Sequence, residues 1–186
     1  NLSNADLTEA SLYYSTLPEA DMSGATLDDT ELKNANISNV DFTDSTFSQM
    51  KFDESFTEVK NMERVTFEEC ILSDVEISHL SFKGANFIRT KLVDVELPNV
   101  SFENTLIRNV NIEKTNLSGS DFTNSNLDNT EILSSNLSDA SFNNAAIVNT
   151  VLKHCDLINT EIEDTVFQES FLQDIDLSNS SVENIH

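Results

Sequence analysis

Residues 20–39 read ADMSGATLDDTELKNANISN, and within them Met22, Leu27, Leu32 and Ile37 stand five apart. The same spacing extends in both directions. From Leu2 to Val182 this five-residue grid has 37 positions, and 36 of them are apolar; the exception is Thr57. Hydrophobic residues make up only 38% of the 186-residue chain, so composition alone does not produce such a series. An amphipathic helix repeats about every 3.6 residues and a half-buried strand every two, so a period of five fits neither. The residue two before each centre forms a second series of small or β-branched side chains, beginning Ala5, Ala10, Ser15, Ala20 and Ala25; Lys60 breaks it. Asp, Asn, Ser or Thr fill most positions between the two series, and Asn and Asp dominate two residues after each centre.

Ala5-Asp6-Leu7, Ala20-Asp21-Met22, Ala35-Asn36-Ile37 and Ala85-Asn86-Phe87 carry an A(D/N)LXX pattern. On these residues the chain resembles the pentapeptide-repeat family over essentially its whole length, without indicating a subfamily. The resemblance implies an all-β fold: a right-handed quadrilateral parallel β-helix in which four pentapeptides make one square coil. Centres and small residues would point inward. About nine coils would give a rod on the order of 45 Å long at roughly 4.8 Å per coil. Asn and Asp suit the corners because their side chains bond their own backbone. Residues 1–186 are expected to form one domain with a register break near residues 55–61. There Thr57 takes a centre, Lys60 takes a small position, and Phe56 and Val59 lie off register, yet Met62 resumes the phase. A bulge or short loop with Phe56 or Val59 turned inward is expected. The repeat is already running at Leu2 and continues to Val182 with no visible capping element, so the expectation is a segment of a longer protein.

A coil of 20 residues assigns every residue to one of four sides. Side A has its centres at Leu2, Met22, Phe42 and every twentieth residue onward, side B at Leu7, side C at Leu12 and side D at Leu17 with theirs. Phe82, Phe102, Phe122 and Phe142 fall on side A, where stacked rings should add roughly 0.5–1.5 kcal/mol per pair beyond burial. Charge segregates by side. Side A carries Asp21, Asp41, Glu63, Glu103, Asp121, Glu161 and Glu163 beside its centres, against Lys83. Side D carries Glu58, Glu76, Glu96, Asp156 and Asp176 with no basic residue in those positions. Sides D and A together are the candidate acidic strip. Sides B and C are more neutral and hold Ile71, Ile88, Val93, Leu106, Leu133, Val148, Val151, Val166 and Phe171 at outward positions, a candidate apolar contact surface.

Composition narrows the function. The formal net charge is −23, which excludes simple electrostatic attraction to nucleic acid or anionic lipid, and no apolar run is long enough to insert into a membrane. No signal peptide is visible. Cys70 and Cys155 would face inward some four coils apart, too far for a disulfide. His79, His154 and His186 do not stand with Cys or carboxylates at metal-ligand spacing. No phosphate-binding glycine loop or clefted carboxylate pair is evident, so no catalytic residue, cofactor or metal is assigned and an enzyme is not expected. The expectation is a scaffold that binds another protein, one with a basic surface, as a soluble bacterial protein of the cytoplasm or one secreted into a host cell. Resemblance to the family adds an alternative: some members imitate duplex DNA, bind type II topoisomerases and alter quinolone action. Exposed end coils would also allow an end-to-end homodimer.

Carboxylates on neighbouring coils lie closer than the screening length of ~10 Å at 0.1 M salt. The melting temperature is therefore expected to rise with NaCl in thermal unfolding. A flat or falling dependence would show that the strip is less dense than the sequence suggests.

Overall fold

In the computed structural model, which describes residues 1–78 and 80–186, the chain winds as a four-sided parallel β-solenoid; His79 lies outside the described residues. On side B, strands Thr26–Asp28, Thr46–Ser48, Thr66–Glu68, Asn86–Ile88, Leu106–Arg108, Asn126–Asp128, Ala146–Val148 and Val166–Gln168 form one parallel ladder. Asp6 bridges onto Thr26, which adds a ninth layer. Side C holds a second ladder of seven strands, from Lys51–Phe52 to Phe171–Gln173. Sides A and D pair through single bridges such as Asp21 with Asp41 and Glu76 with Glu96, and side A ends in the pair Glu161–Glu163 and Ser181–Glu183. Every ladder keeps a register of 20, as in Phe47 opposite Phe67.

The corner residue two after each centre sets the geometry. From Asn4 to Asn184 this position has φ near +50 to +70° throughout the described chain, except at Glu54 and Val59. A left-handed conformation costs most side chains about 1–2 kcal/mol, and glycine, Asn and Asp least. That is why the position is so often Asn or Asp. The conformation aims the corner N–H along the rod: Asn4 donates to Ser23 O at 2.8 Å, Asn104 to Thr123 O at 3.0 Å and Asn124 to Asn143 O at 3.0 Å. Two further N–H groups per pentapeptide do the same, as in Leu2 to Asp21 O and Thr26 to Ala5 O. Along sides A and D the N–H of the small residue also closes the turn onto the centre carbonyl, as Ala25 does onto Met22 and Ala145 onto Phe142, both at 3.0 Å.

Apart from Ser55, Thr57 and Lys60 at the interruption, both inward series are buried from Met22 to Ile162. Small polar members of the core return their hydroxyls to the main chain one coil back. Thr30 donates to Leu7 O at 2.8 Å, Thr165 to Phe142 O at 2.7 Å and Ser120 to Leu97 O at 3.0 Å. Cys70 and Cys155 occupy the same place, with Sγ 3.5 and 3.3 Å from Phe47 O and Ile132 O. Both are free thiols, and burial pushes Cys70 up to about 11, so it acts as a small core residue. Phenylalanines run up the axis in two overlapping columns. Phe47, Phe67 and Phe87 stack on side B at 5.7 and 4.6 Å. Phe82, Phe102, Phe122 and Phe142 stack on side A at 5.5, 4.8 and 4.9 Å. An edge-on contact of 5.4 Å between Phe82 and Phe87 joins the columns.

The interruption takes the form of a 3-10 helix, Glu54–Glu58, capped by Asp53, whose side chain accepts from the Ser55 N–H at 2.9 Å. Phe56 and Val59 both turn into the core, each 1% exposed. Phe56 lies 4.2 Å from Phe52 and 5.9 Å from Phe47 between ring centroids, so it replaces the apolar centre that Thr57 cannot supply. Lys60, displaced outward, still donates its N–H to Val40 O at 2.8 Å, and Met62 resumes the register.

Two substitutions separate these forces. Phe122→Ala, in mid-column, should cost about 3–5 kcal/mol. At exposed Asn144, Val should cost about 1–2 kcal/mol while Gly is close to neutral. Denaturant melts measure both; a well-tolerated Asn144→Val would mean that the corner conformation does not govern stability.

Candidate functional site

Among the described residues the molecule has no hollow built for chemistry. An apolar interstice of about 10 Å³ between Phe87, Phe102 and Phe122 belongs to the core, and no group of three His, Cys, Asp or Glu is placed to hold a metal ion. No described helix is long and apolar enough to cross a membrane. The candidate sites are therefore outer faces.

The acidic residues fall on sides D and A as adjacent pairs. Asp21 lies beside Asp41, Glu76 beside Glu96, Asp156 beside Asp176, and Glu163 beside Glu183. Glu76, Glu96, Asp156, Glu161, Glu163 and Asp176 are exposed, while Asp21, Asp41, Glu63, Glu103 and Asp121 are half-buried. Cations interrupt the strip. Lys60 Nζ lies 3.8 Å from Asp41, Lys83 lies 2.7 Å from Glu103, and Arg64 forks onto Asp44 at 2.7 and 2.9 Å while reaching Glu63 at 3.8 Å. Counting only the neighbours of each centre misses Arg64, which sits at a corner, and Lys60, which stands where an inward residue belongs. Charge is consequently uneven along the rod. Residues 1–32 hold seven acidic and no basic residues, residues 33–114 hold fourteen and nine, and residues 115–186 hold twelve and one. The densest uncompensated stretch is the N-terminal one, and the C-terminal one is the longest.

Two kinds of carboxylate make up the strip. Four of its aspartates directly before a centre bind the turn that follows. Asp21 Oδ1 accepts from the Ser23 N–H at 3.0 Å, Asp41 from Thr43 at 3.0 Å, Asp121 from Thr123 at 2.9 Å and Asp176 from Ser178 at 2.9 Å. Asn36, Asn116 and Asn136 make the same bond, so the turn needs the oxygen and not the charge. Hydrogen bonds from the Ser23 and Ser178 hydroxyls and N–H groups hold the Asp21 and Asp176 carboxyls below the ordinary value. Arg64 does the same for Asp44. The glutamates perform no such turn bonding. Glu96 accepts from the Asn116 amide at 2.7 Å and Glu161 from that of Asn143 at 3.1 Å, both between coils.

The nine candidate apolar residues are dispersed. Ile71 and Phe171 are exposed, at 41% and 55%, and Ile88, Val93, Leu106, Leu133, Val148, Val151 and Val166 are half-buried. In register, Ile71 stands between Lys51 and Lys91, Ile88 between Glu68 and Arg108, and Leu106 between Asn86 and Asn126. Val93 neighbours Ser73 and Glu113, Leu133 neighbours Glu113 and Lys153, and Val148 neighbours Asp128 and Gln168. Of the nine, only Val151 and Phe171 stand opposite each other in a ladder.

Asp121→Ala should cost about 1 kcal/mol through its lost turn bond, whereas Asp121→Asn keeps Oδ1 and should leave the melting temperature level or higher. Because the folded-state values of Asp21 and Asp176 are depressed, their stabilisation is complete above the unfolded value of 3.8 and is lost as pH falls through the folded values. The double variant Asp21→Asn/Asp176→Asn should therefore show a shallower loss of melting temperature below about pH 4. An unchanged acid limb would overturn this account.

Comparison with known proteins agrees with the repeat. A family model described as "Pentapeptide repeat region" matches residues 60–142, and one described as "Pentapeptide repeats (8 copies)" matches residues 1–24, 17–49 and 135–174. No curated protein matches. Similar solved structures include a trypsin-treated form of QnrB1, a plasmid-mediated fluoroquinolone resistance protein, at 14% identity and a TM-score of 0.58, covering 91% of this chain and 88% of that one. Full-length QnrB1 matches at 14% identity and a TM-score of 0.50, covering 95% and 92%. HetL, involved in heterocyst differentiation regulation in the cyanobacterium Nostoc, matches at 19% identity and a TM-score of 0.42, covering 100% and 86%. At such identities the likeness speaks for the fold alone. With the two family models together spanning most of a chain that is a four-sided coil of five-residue units, this molecule belongs to the pentapeptide-repeat proteins.

Proposed function

We propose that the chain is a non-enzymatic scaffold that binds another protein through a rigid, acidic surface, as part of a bacterial multidomain or secreted protein. One observation carries this reading. The exposed carboxylates of sides D and A are held in register by parallel bridges between successive coils, and over residues 115–186 no Lys or Arg flanks a centre on those two sides. Rows of fixed negative charge attract a basic protein surface and speed its association. The glutamates among them do nothing for the turns, so their charge is available to a partner.

A second reading is favoured by the same rows: a mimic of duplex DNA that binds a type II topoisomerase. Pairs of acid one coil apart, at roughly 4.8 Å, offer phosphate-like charges to a groove made for DNA. QnrB1, which shares the fold, is a fluoroquinolone resistance protein. The test is gyrase supercoiling with the purified chain, with and without a quinolone, at several salt concentrations. Salt-sensitive inhibition or protection that is lost in Glu76→Gln/Glu96→Gln/Glu161→Gln/Glu163→Gln supports mimicry. No effect at high micromolar protein rejects mimicry and leaves the scaffold. The scaffold reading itself fails if that variant, intact by melting, keeps every interaction that the native chain makes with basic protein surfaces.

A further inference from the structure

Tyr13 and Tyr14, the chain's two tyrosines, stand side by side on the first coil, 47% and 67% exposed, with ring centroids 4.2 Å apart. Neither serves the fold. Tyr14 occupies a corner with φ of +54°, a conformation costly for a large side chain and filled by Asn34 one coil on. Its N–H reaches Lys33 O only at 3.4 Å, longer than neighbouring corner bonds such as Glu9 to Asp28 at 2.8 Å. Beside the pair lies an open groove of about 570 Å³, with Tyr13 on its lining. Asp29, Glu31, Asp53 and Glu54 line it against Lys33 and Lys51, an excess of carboxylates, and residues 1–32 supply no Lys or Arg.

We infer that Tyr13, Tyr14 and this groove form a receptor for an arginine-bearing basic segment of a partner protein. A guanidinium stacks on a tyrosine face and forks onto a carboxylate, a combination that Arg satisfies better than Lys. Exposed aromatic anchors are also the residues that dominate binding energy at interfaces. The inference rests on the scaffold reading and adds the partner's chemistry and its place on the rod. It concerns the B/C face of the early coils, not the strip on sides D and A.

The chain has no tryptophan, so its intrinsic emission reports on these two tyrosines alone. Hexa-arginine amide and hexalysine amide are titrated into the full chain at low salt, followed by tyrosine emission and by calorimetry. Hexa-arginine is expected to change the emission saturably and to bind more tightly than hexalysine. Tyr14→Asn should weaken hexa-arginine binding about fivefold or more while raising the melting temperature, and Tyr13→Ser should weaken it similarly. Glu169→Gln, at the far end and outside both the groove and the acidic strip, should leave the emission titration unchanged. Wild-type affinity in Tyr14→Asn and Tyr13→Ser overturns the inference. Calorimetric binding without an emission response also overturns it, while leaving the acidic scaffold intact. Absence of binding by both methods overturns this receptor, and the glutamine variants on sides D and A then decide the scaffold reading separately.

Discussion

Everything in this molecule depends on a left-handed residue at each regular corner. With φ positive there, the chain turns a right angle and still aims the corner N–H at the coil beyond, as Asn124 does toward Asn143. Three main-chain hydrogen bonds per pentapeptide then join neighbouring coils, and few backbone groups are left to be satisfied by anything else. The conformational cost at each corner is small for Asn, Asp and Gly and is offset by these bonds and by burial of two side chains in five. At Gly24 and Gly119 a side chain could enter only if the asparagine one coil back moved aside. A Cβ there would come within 2.6 and 2.4 Å of the Asn4 and Asn99 side-chain oxygens, which lean over from the coil before.

The sequence disclosed the inward half of this arrangement well. A five-residue apolar grid and a small-residue series have no other economical reading, and the Phe82–Phe142 column follows directly from the 20-residue register. The outward half was harder to read. A count of charge beside the centres leaves out the corner residues, although they project side chains as the flanking residues do, and so it omits Arg64, a cation crossing the acidic strip. Thr57 and Lys60 signalled a break, but the remedy depends on three-dimensional fit. Five residues of 3-10 helix happen to lower Phe56 between Phe42, Phe47 and Phe52. No periodicity encodes that.

Carboxylates do two jobs here, and the distinction bears on how acidity arises in such a rod. Before a centre, Asp and Asn are interchangeable for the turn, so the position admits negative charge at no cost in local geometry. Glutamates such as Glu76 and Glu163 have no such role. A strongly acidic rod is therefore partly a by-product of turn chemistry and partly an addition to it, and only the second part is independent of the fold.

The 3-10 helix returns the chain to its original phase, so that Met62 stacks where Phe42 and Phe82 require. Because of this, the molecule behaves as a screw-cut shaft whose faces are indexed by residue number. Loss of a whole coil of 20 residues would shorten the shaft by one step and leave every face aligned. Loss of a single pentapeptide would instead swing everything beyond it through a quarter turn, carrying a patch that faced one neighbour round to face another. Length and bearing are thus adjustable separately, and a lineage of such rods could re-aim its surfaces by small deletions without touching a residue of the surfaces themselves.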